Sequence, residues 1–171
     1  MYDKRVVLEN FTTVPYGCKD VIRFDRNNKE FGFMLNDYQA PVTIEGKVYQ
    51  FPDAYLMCKK LDPEYQNRLF NYESLCDQIR SAPTVQDAQH IANRPNAFRK
   101  DWDSVQRFIG LRAVNAKFKE NEAIKHRLLA TGKRSLVYVD NDPFWGTGPD
   151  GNGQNQLGQT LENVRKRLKI N

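Results

Sequence analysis

With 171 residues, the chain is long enough to bury a real core without disulfide or metal staples. Apolar residues at 40% and charged residues at 27% are the balance of a globular protein, and no apolar run approaches the length that crosses a bilayer. Three cysteines without a CxxC pair, together with only two histidines, argue against a disulfide framework and a zinc centre, and a net charge of +5 favours an anionic partner only weakly.

The opening "MYDKRVVLENF" has no apolar stretch of the signal-peptide kind, so a cytoplasmic, reducing location is expected. No repeat, low-complexity tract or Ser/Gly/Pro linker divides the sequence, and one domain over residues 1–171 is expected, with 1–21 as an N-terminal extension. The first third reads as β: "RVVLENF", "DVIRF", then "PVTIEGKVYQF", where Glu45-Gly46-Lys47 turns one β-branched run into the next. At "FPDAYLMCKKL" the character changes, because Pro52 and Asp53 suit a first helical turn.

Helices follow. "TVQDAQHIA" opens with Thr84 and Asp87 in a capping-box spacing. "DWDSVQRFIGLRAVNAKF" places Trp102, Val105, Ile109, Ala113 and Ala116 on one face, and Phe108, Leu111 and Phe118 on a second stripe, which predicts a central buried helix. "EAIKHRLLATG" ends at Gly132, a suitable residue just past a helix. "SLVYVD" reads as a strand. Leu157, Leu161, Val164 and Leu168 mark a last amphipathic helix whose far face carries Arg165, Lys166, Arg167 and Lys169, a cluster better read as a solvated helix end than as a nucleic-acid stripe.

Between strand and last helix lies "DNDPFWGTGPDGNGQNQLGQTL", with five glycines from Gly146 to Gly158. A glycine loop feeding a helix N-terminus is a ready anion cradle, although this one lacks the P-loop lysine and the dinucleotide-binding spacing. A long surface turn is the alternative reading of the same pattern.

The residues Asp142-x-x-Trp145-Gly146-x-Gly148, Asn155-x-Leu157-Gly158 and Val164-Arg165 resemble the C-terminal signature of the NADAR family, named for its links to NAD and ADP-ribose. "LLATGKRSLVYV", "RKDW" and "AKF" resemble further landmarks of that family. "FGFMLN" is similar to its Phe-Gly-Trp-Leu-Ser-Asn motif through Phe31, Gly32 and Asn36, and "FPDAYLMCKKL" to its Pro-Thr-x-Glu-His-Tyr-x-Gln-Ala-Gln-Lys-Phe helix. The resemblance spans residues 22–168, is strong beyond Asp101 and patchy before it, and does not cover "DPEYQNRLFNYESL".

That resemblance implies an α+β fold, a single compact and mostly helical domain, and an N-glycosidase activity without metal or cofactor. The small N-terminal sheet is expected to be completed by the strand at Leu136–Val139. The implied reaction removes ADP-ribose from guanine in nucleic acid, or splits the N-glycosidic bond of phosphorylated riboflavin-pathway intermediates. A module that binds ADP-ribose or NAD-derived nucleotides without cleaving them is the alternative from another class. The implied partners are an ADP-ribosylated nucleobase or a related phosphorylated nucleotide, with DNA as a further candidate and no membrane.

Cleavage builds positive charge at ribose C1′; a carboxylate can stabilise that charge or activate water, and a lysine amine can instead attack C1′ and form an imine with the opened sugar. The resemblance places Asp53 at the family's Glu and Lys60 at its helix lysine, seven apart and so on one helix face. Asp142 completes the implied catalytic set. Asn36, Trp145, Gly146, Gly148, Asn155 and Gly158 are the implied substrate contacts, and Arg94, Arg99 and Lys117 align with basic positions suited to phosphate. The chain departs from the family at Ala54 for His, Met57 for Gln, Leu35 for Ser and Tyr138 in the place of a Glu. Cys58, with no histidine neighbour, reads as a core residue.

Overall fold

The structure, a computed structural model, describes residues 5–8, 11–15, 20–62, 72–94 and 98–170. In chain order the elements are β1 (Arg5–Leu8), β2 (Phe11–Pro15), β3 (Val21–Phe24), a 3-10 turn (Gly32–Met34), β4 (Val42–Ile44), β5 (Lys47–Tyr49), α1 (Pro52–Lys60), α2 (Tyr72–Ser81), α3 (Val85–Asn93), α4 (Trp102–Glu120), α5 (Glu122–Ala130), β6 (Ser135–Tyr138) and α6 (Gln156–Leu168). The class is α+β and mostly helical. Cys18 and most of the segment that the family resemblance leaves uncovered lie outside the described residues. No helix among the described residues is long and apolar enough to cross a membrane.

Two compact units divide the chain: Asn36–Glu122, and the residues before and after it. In the first, β4 and β5 form a hairpin with Thr43 opposite Val48. Its two-residue turn holds Glu45 at φ 56° and Gly46 at φ 73°, the left-handed pair whose twist suits a tight hairpin. Glycine adopts that backbone freely, whereas Glu45 is held there by contacts from helices: its carboxylate accepts from Lys59 Nζ at 2.6 Å and from Arg112. These partners hold the Glu45 carboxyl below its ordinary range, the Lys59 bond first.

Helix α1 starts as its sequence demands, with Phe51 extended, Pro52 in the first turn and Asp53 at the positive end of the dipole. It packs on α4, α3 and α2 and buries Ala54, Tyr55, Leu56 and Cys58. The Cys58 thiol is pushed up by its hydrogen bond with Cys76 and by burial, so it serves packing. Helix α3 is capped as the Thr84/Asp87 spacing predicts, the Asp87 N–H donating to Thr84 Oγ1 at 3.1 Å. One stripe of α4 is the core, through Ile109, Ala113 and Val114. The second stripe is split: Phe118 is wholly buried and Leu111 half-buried, whereas Phe108 is 67% exposed.

In the other unit, β3 and β6 run parallel, with Ile22 opposite Leu136 and Phe24 opposite Tyr138. Helix α6 packs on β6 through the buried Leu157, Leu161, Val164 and Leu168. Gly132, at φ 70°, follows α5 as predicted. The strand expected to complete the N-terminal sheet does so for β3, but the described strands form three separate pairs: β1–β2, β3–β6 and β4–β5. Among the described residues no further strand is added on the other edge of β6. There Leu136 N–H donates to Glu162 Oε1 at 2.8 Å, and Tyr138 N–H to Asn155 Oδ1 at 2.9 Å. Side chains occupy the hydrogen-bonding positions that another strand would need.

Arg165 is a second correction. The helical pattern placed it on the polar far face, yet it is 4% exposed, donating to Thr131 Oγ1 at 2.6 Å and to the Arg134 carbonyl at 2.8 Å. Burial lowers its pKa, but the guanidinium keeps its charge and satisfies the end of α5 instead of meeting nucleic acid.

Candidate functional site

The chemistry-bearing side chains of Asn36–Glu122 gather where α1 packs on α4. Asp53, in the first turn of α1, donates its N–H to the Asn36 carbonyl at 3.0 Å. Asn36 is 8% exposed and its Oδ1 is buried without a hydrogen-bond partner among the described residues. Such an acceptor is costly unless some donor reaches it. From α4, Lys117 enters the same neighbourhood. It is 0% exposed, with Nζ 5.4 Å from the centre of the Tyr38 ring and 5.2 Å from that of Phe118.

Burial pushes the Lys117 ammonium down to about 7, while the negative charges of Asp53 and then Asp37 oppose the fall. At neutral pH such an amine is divided between its charged and neutral forms, which suits both nucleophilic attack and proton transfer. Sequence alignment assigned Lys117 only to phosphate contact. A lysine four residues after the buried Ala113 and beside Phe118 is the signal that it belongs to the apolar stripe of α4.

Lys60 lies in the last turn of α1, seven residues from Asp53 as its spacing requires. It is half-buried, with Nζ 4.7 Å from the centre of the Phe98 ring. Arg99 grips Asp101 through two bonds, 2.7 Å from Nε and 2.9 Å from Nη2, and its N–H donates to the Lys60 carbonyl at 3.0 Å. The Arg-x-Asp-Trp landmark therefore ties the start of α4 to the end of α1. Arg94 is exposed at the end of α3.

The glycine loop lies in the other unit, and its own backbone explains much of its composition. A Cβ on Gly146 would stand 2.8 Å from Asp140 Cβ, and one on Gly153 would stand 2.5 Å from the Thr147 carbonyl carbon. Gly148 adopts φ 69°. Within the loop, the N–H groups of Gly146, Thr147, Gly153, Gln154 and Asn155 donate to carbonyls of the loop or of Tyr138. Asp142 Oδ1 accepts from Phe144 and Trp145 N–H groups at 2.8 Å each, closing the turn that presents the half-buried Trp145. Asn155 is 5% exposed at φ 49°. Its Oδ1 accepts from Tyr138 and its Nδ2 donates to the Leu136 carbonyl at 2.9 Å. Gly158 lets α6 approach β6, since a Cβ there would meet the Leu136 carbonyl oxygen at 2.0 Å. Tyr138, in the place of the family's Glu, donates its hydroxyl to Asp140 Oδ2 at 2.9 Å.

The family model described as the NADAR domain matches residues 23–169. The chain belongs to the NADAR family. It is 31% identical over 154 residues to the N-glycosidase YbiA of Escherichia coli strain K12, covering 88% of this chain and 89% of that one. It is 30% identical over 150 residues to the riboflavin biosynthesis protein VVA0006 of Vibrio vulnificus, covering 86% of this chain and 38% of that one. The NMR structure of E. coli YbiA aligns with a TM-score of 0.69 at 27% identity, over 88% of this chain and 85% of that one. This NADAR protein thus shares its fold and most of its length with a named N-glycosidase.

Proposed function

We propose that the protein is an N-glycosidase of phosphorylated ribosides carrying an amino-heterocycle, and that Lys117 is its attacking group. One observation carries the reading: a wholly buried lysine whose pKa burial brings to about 7, against the opposing charges of Asp53 and Asp37. Kinship with YbiA supports the reaction class.

In this reaction the neutral Lys117 amine attacks C1′ as the bond from C1′ to the heterocycle nitrogen breaks. The heterocycle leaves with the bonding pair and takes up a proton, while the attacking nitrogen loses one. The sugar ring then opens to an imine, with O4′ protonated, and water hydrolyses the imine to restore the amine. Asp53 and Asp37 stabilise the positive charge that develops at C1′ and persists on the protonated imine. Asn36 Oδ1 accepts a sugar hydroxyl. Trp145, Asn155 and Gly158 belong to the other unit, where Asn155 and Gly158 hold α6 against β6. Lys60 is the competing nucleophile.

ADP-ribosylated guanine in nucleic acid is the favoured substrate on the family resemblance. Phosphorylated riboflavin-pathway intermediates are the second reading, favoured by similarity to VVA0006. The test incubates the protein with ADP-ribosyl-guanine DNA and with a phosphorylated ribosylaminopyrimidine, followed by mass spectrometry for the released base. Borohydride should trap an adduct on Lys117 that Lys117→Met abolishes and Lys60→Met retains. An adduct mapped to Lys60, or a fully active Lys117→Met enzyme, would overturn the assignment.

A further inference from the structure

Lys117 is 0% exposed, so nothing from outside touches its amine as it stands. Attack on C1′ needs the reacting atoms at about 3–3.5 Å, and a neighbour of the amine must give way first. Phe118, with its ring centre 5.2 Å from Nζ, is wholly buried in α4. Asp53, whose charge acts on the amine, sits in the first turn of α1 between the buried Pro52 and Ala54. Displacing either would unpack a helix from a dense core. Tyr38 is differently placed. Its ring centre lies 5.4 Å from Nζ, it is 37% exposed, and it stands outside every helix and strand. This large side chain reaches both the amine and solvent.

The chain around Tyr38 is tied down on both sides. The Asn36 carbonyl accepts from the Asp53 N–H at 3.0 Å, and the Pro41 carbonyl accepts from Asn121 Nδ2 at 3.0 Å. Asn121 directly follows α4, and its Nδ2 also donates to the Lys117 carbonyl at 2.9 Å. One tie therefore leads to α1 and the other to α4, two helices that pack on each other. Asp37, Tyr38 and Gln39 form a strap between these ties. With its ends held, the strap uncovers the amine most cheaply by turning the Tyr38 side chain into another rotamer.

We propose that Tyr38 is the access residue of Lys117: its ring covers the amine at rest and swings aside to admit substrate. The inference rests on the reading of Lys117 as nucleophile and adds what guards it. An amine that is partly neutral near pH 7 condenses with any aldehyde that reaches it, losing water and forming an imine. Free sugars in their open-chain form are such aldehydes. They would occupy an uncovered Lys117 although they hold no glycosidic bond to cleave. A cover keeps that side reaction out until a ligand displaces it. An aromatic ring suits the task, because its face attracts an ammonium within about 6 Å and so stays in place over the resting amine. Tyr38 thus acts through Lys117 and is a positioning residue.

The test needs no turnover. The full chain is treated with cyanoborohydride and either formaldehyde or benzaldehyde, and peptide mass spectrometry follows alkylation of Lys117 and of the exposed Lys119. Both aldehydes condense with the neutral amine, and hydride reduces the imine. A change in protonation therefore alters both rates alike, whereas a cover holds back the larger aldehyde more. In the parent, benzaldehyde should label Lys117 far more slowly than Lys119. Tyr38→Ala should speed benzaldehyde labelling of Lys117 about tenfold or more, the gain expected when a minor open state becomes the main one. Formaldehyde labelling should rise less, and Lys119 should not change. Tyr38→Phe keeps the ring and should label as the parent does. Urea midpoints establish that the variants are folded, and Tyr38→Val repeats the comparison if alanine loosens the fold. Equal acceleration with both aldehydes, unchanged labelling of Lys117, or a Tyr38→Phe protein as open as Tyr38→Ala would each overturn the cover. A substrate adduct mapped to Lys60 would remove Lys117 from catalysis and leave the cover standing, so the two readings can fail separately.

Discussion

Lys117 of α4 and Asp53 of α1 are electrostatic partners: burial drives the lysine toward neutrality and the aspartate holds part of its charge in place. The pair joins two helices that pack on each other. Burial is the larger influence, which is why the amine titrates near 7 rather than at its ordinary 10.5. A second carboxylate, Asp37, acts in the same direction as Asp53 but more weakly.

The first prediction is the pH profile. If the neutral Lys117 amine attacks C1′, kcat/KM should rise about tenfold per pH unit below an apparent pKa near 7 and level off above it. Lys117→Met should lower turnover by on the order of 10³-fold or more. A rate independent of pH between 5 and 9, measured on saturating and on dilute substrate, would remove the amine from the mechanism.

Asp53→Asn separates electrostatics from packing. Removing the negative charge destabilises the ammonium, so the Lys117 pKa should fall and the rising limb should move to lower pH. A structural role alone would reduce the rate without moving the limb. The same substitution should also reduce the maximal rate, because the positive charge at C1′ loses a neighbour. The pH dependence of single-turnover cleavage measures both effects at once.

Lys117 also sets a stability slope, and its sign follows from linkage. Its pKa is lower folded, about 7, than in an unfolded chain, where the ordinary 10.5 applies. Between those values the unfolded state binds more protons, so this group makes stability rise with pH. The burial penalty is greatest below 7 and fades as pH approaches 10. Lys117→Met should therefore be more stable than the parent at pH 6 and lose that advantage toward pH 10. Urea unfolding at the two pH values tests it. A constant difference between the two proteins would mean that Lys117 does not titrate in this range.

Local rules made much of this fold legible in the sequence. Pro52 and Asp53 marked a helix start, Thr84 and Asp87 a cap, and Glu45-Gly46 a hairpin turn, because each works within a few residues of chain. What escaped depends on contacts distant in sequence. Arg165 sits among the basic residues of α6, and only Thr131 and the Arg134 carbonyl, some thirty positions earlier, explain its burial. Lys117 lies in an apolar stripe that was visible, but the neighbouring carboxylates of Asp37 and Asp53 belong to a part of the chain brought to it by folding. The glycine loop is a different case: its composition signals close backbone approach, and in this structure the approaching backbone includes that of the loop itself.

The final prediction concerns the seam between that loop and β6. Asn155 acts there as a substitute strand, its amide bonding both Tyr138 N–H and the Leu136 carbonyl, while Gly158 sets how closely α6 can approach. Asn155→Ala leaves a buried donor and a buried acceptor without partners and places alanine at φ 49°, a backbone that asparagine tolerates better. The expected loss is about 2–6 kcal/mol, from about 1–3 for each unpaired group. Asn155→Asp keeps the acceptor for Tyr138 but turns a carboxylate oxygen toward the Leu136 carbonyl, so it should not rescue the fold at neutral pH. Gly158→Ala attacks the same seam from the other side. Its Cβ would lie 2.0 Å from the Leu136 oxygen, and α6 can yield only by opening its packing, at a cost of about 3 kcal/mol or more. Residues in one seam should couple, so the double variant Asn155→Ala/Gly158→Ala should lose less stability than the two single losses added together. Urea midpoints of the four proteins measure this, and strictly additive losses would show that the two residues support separate parts of the structure.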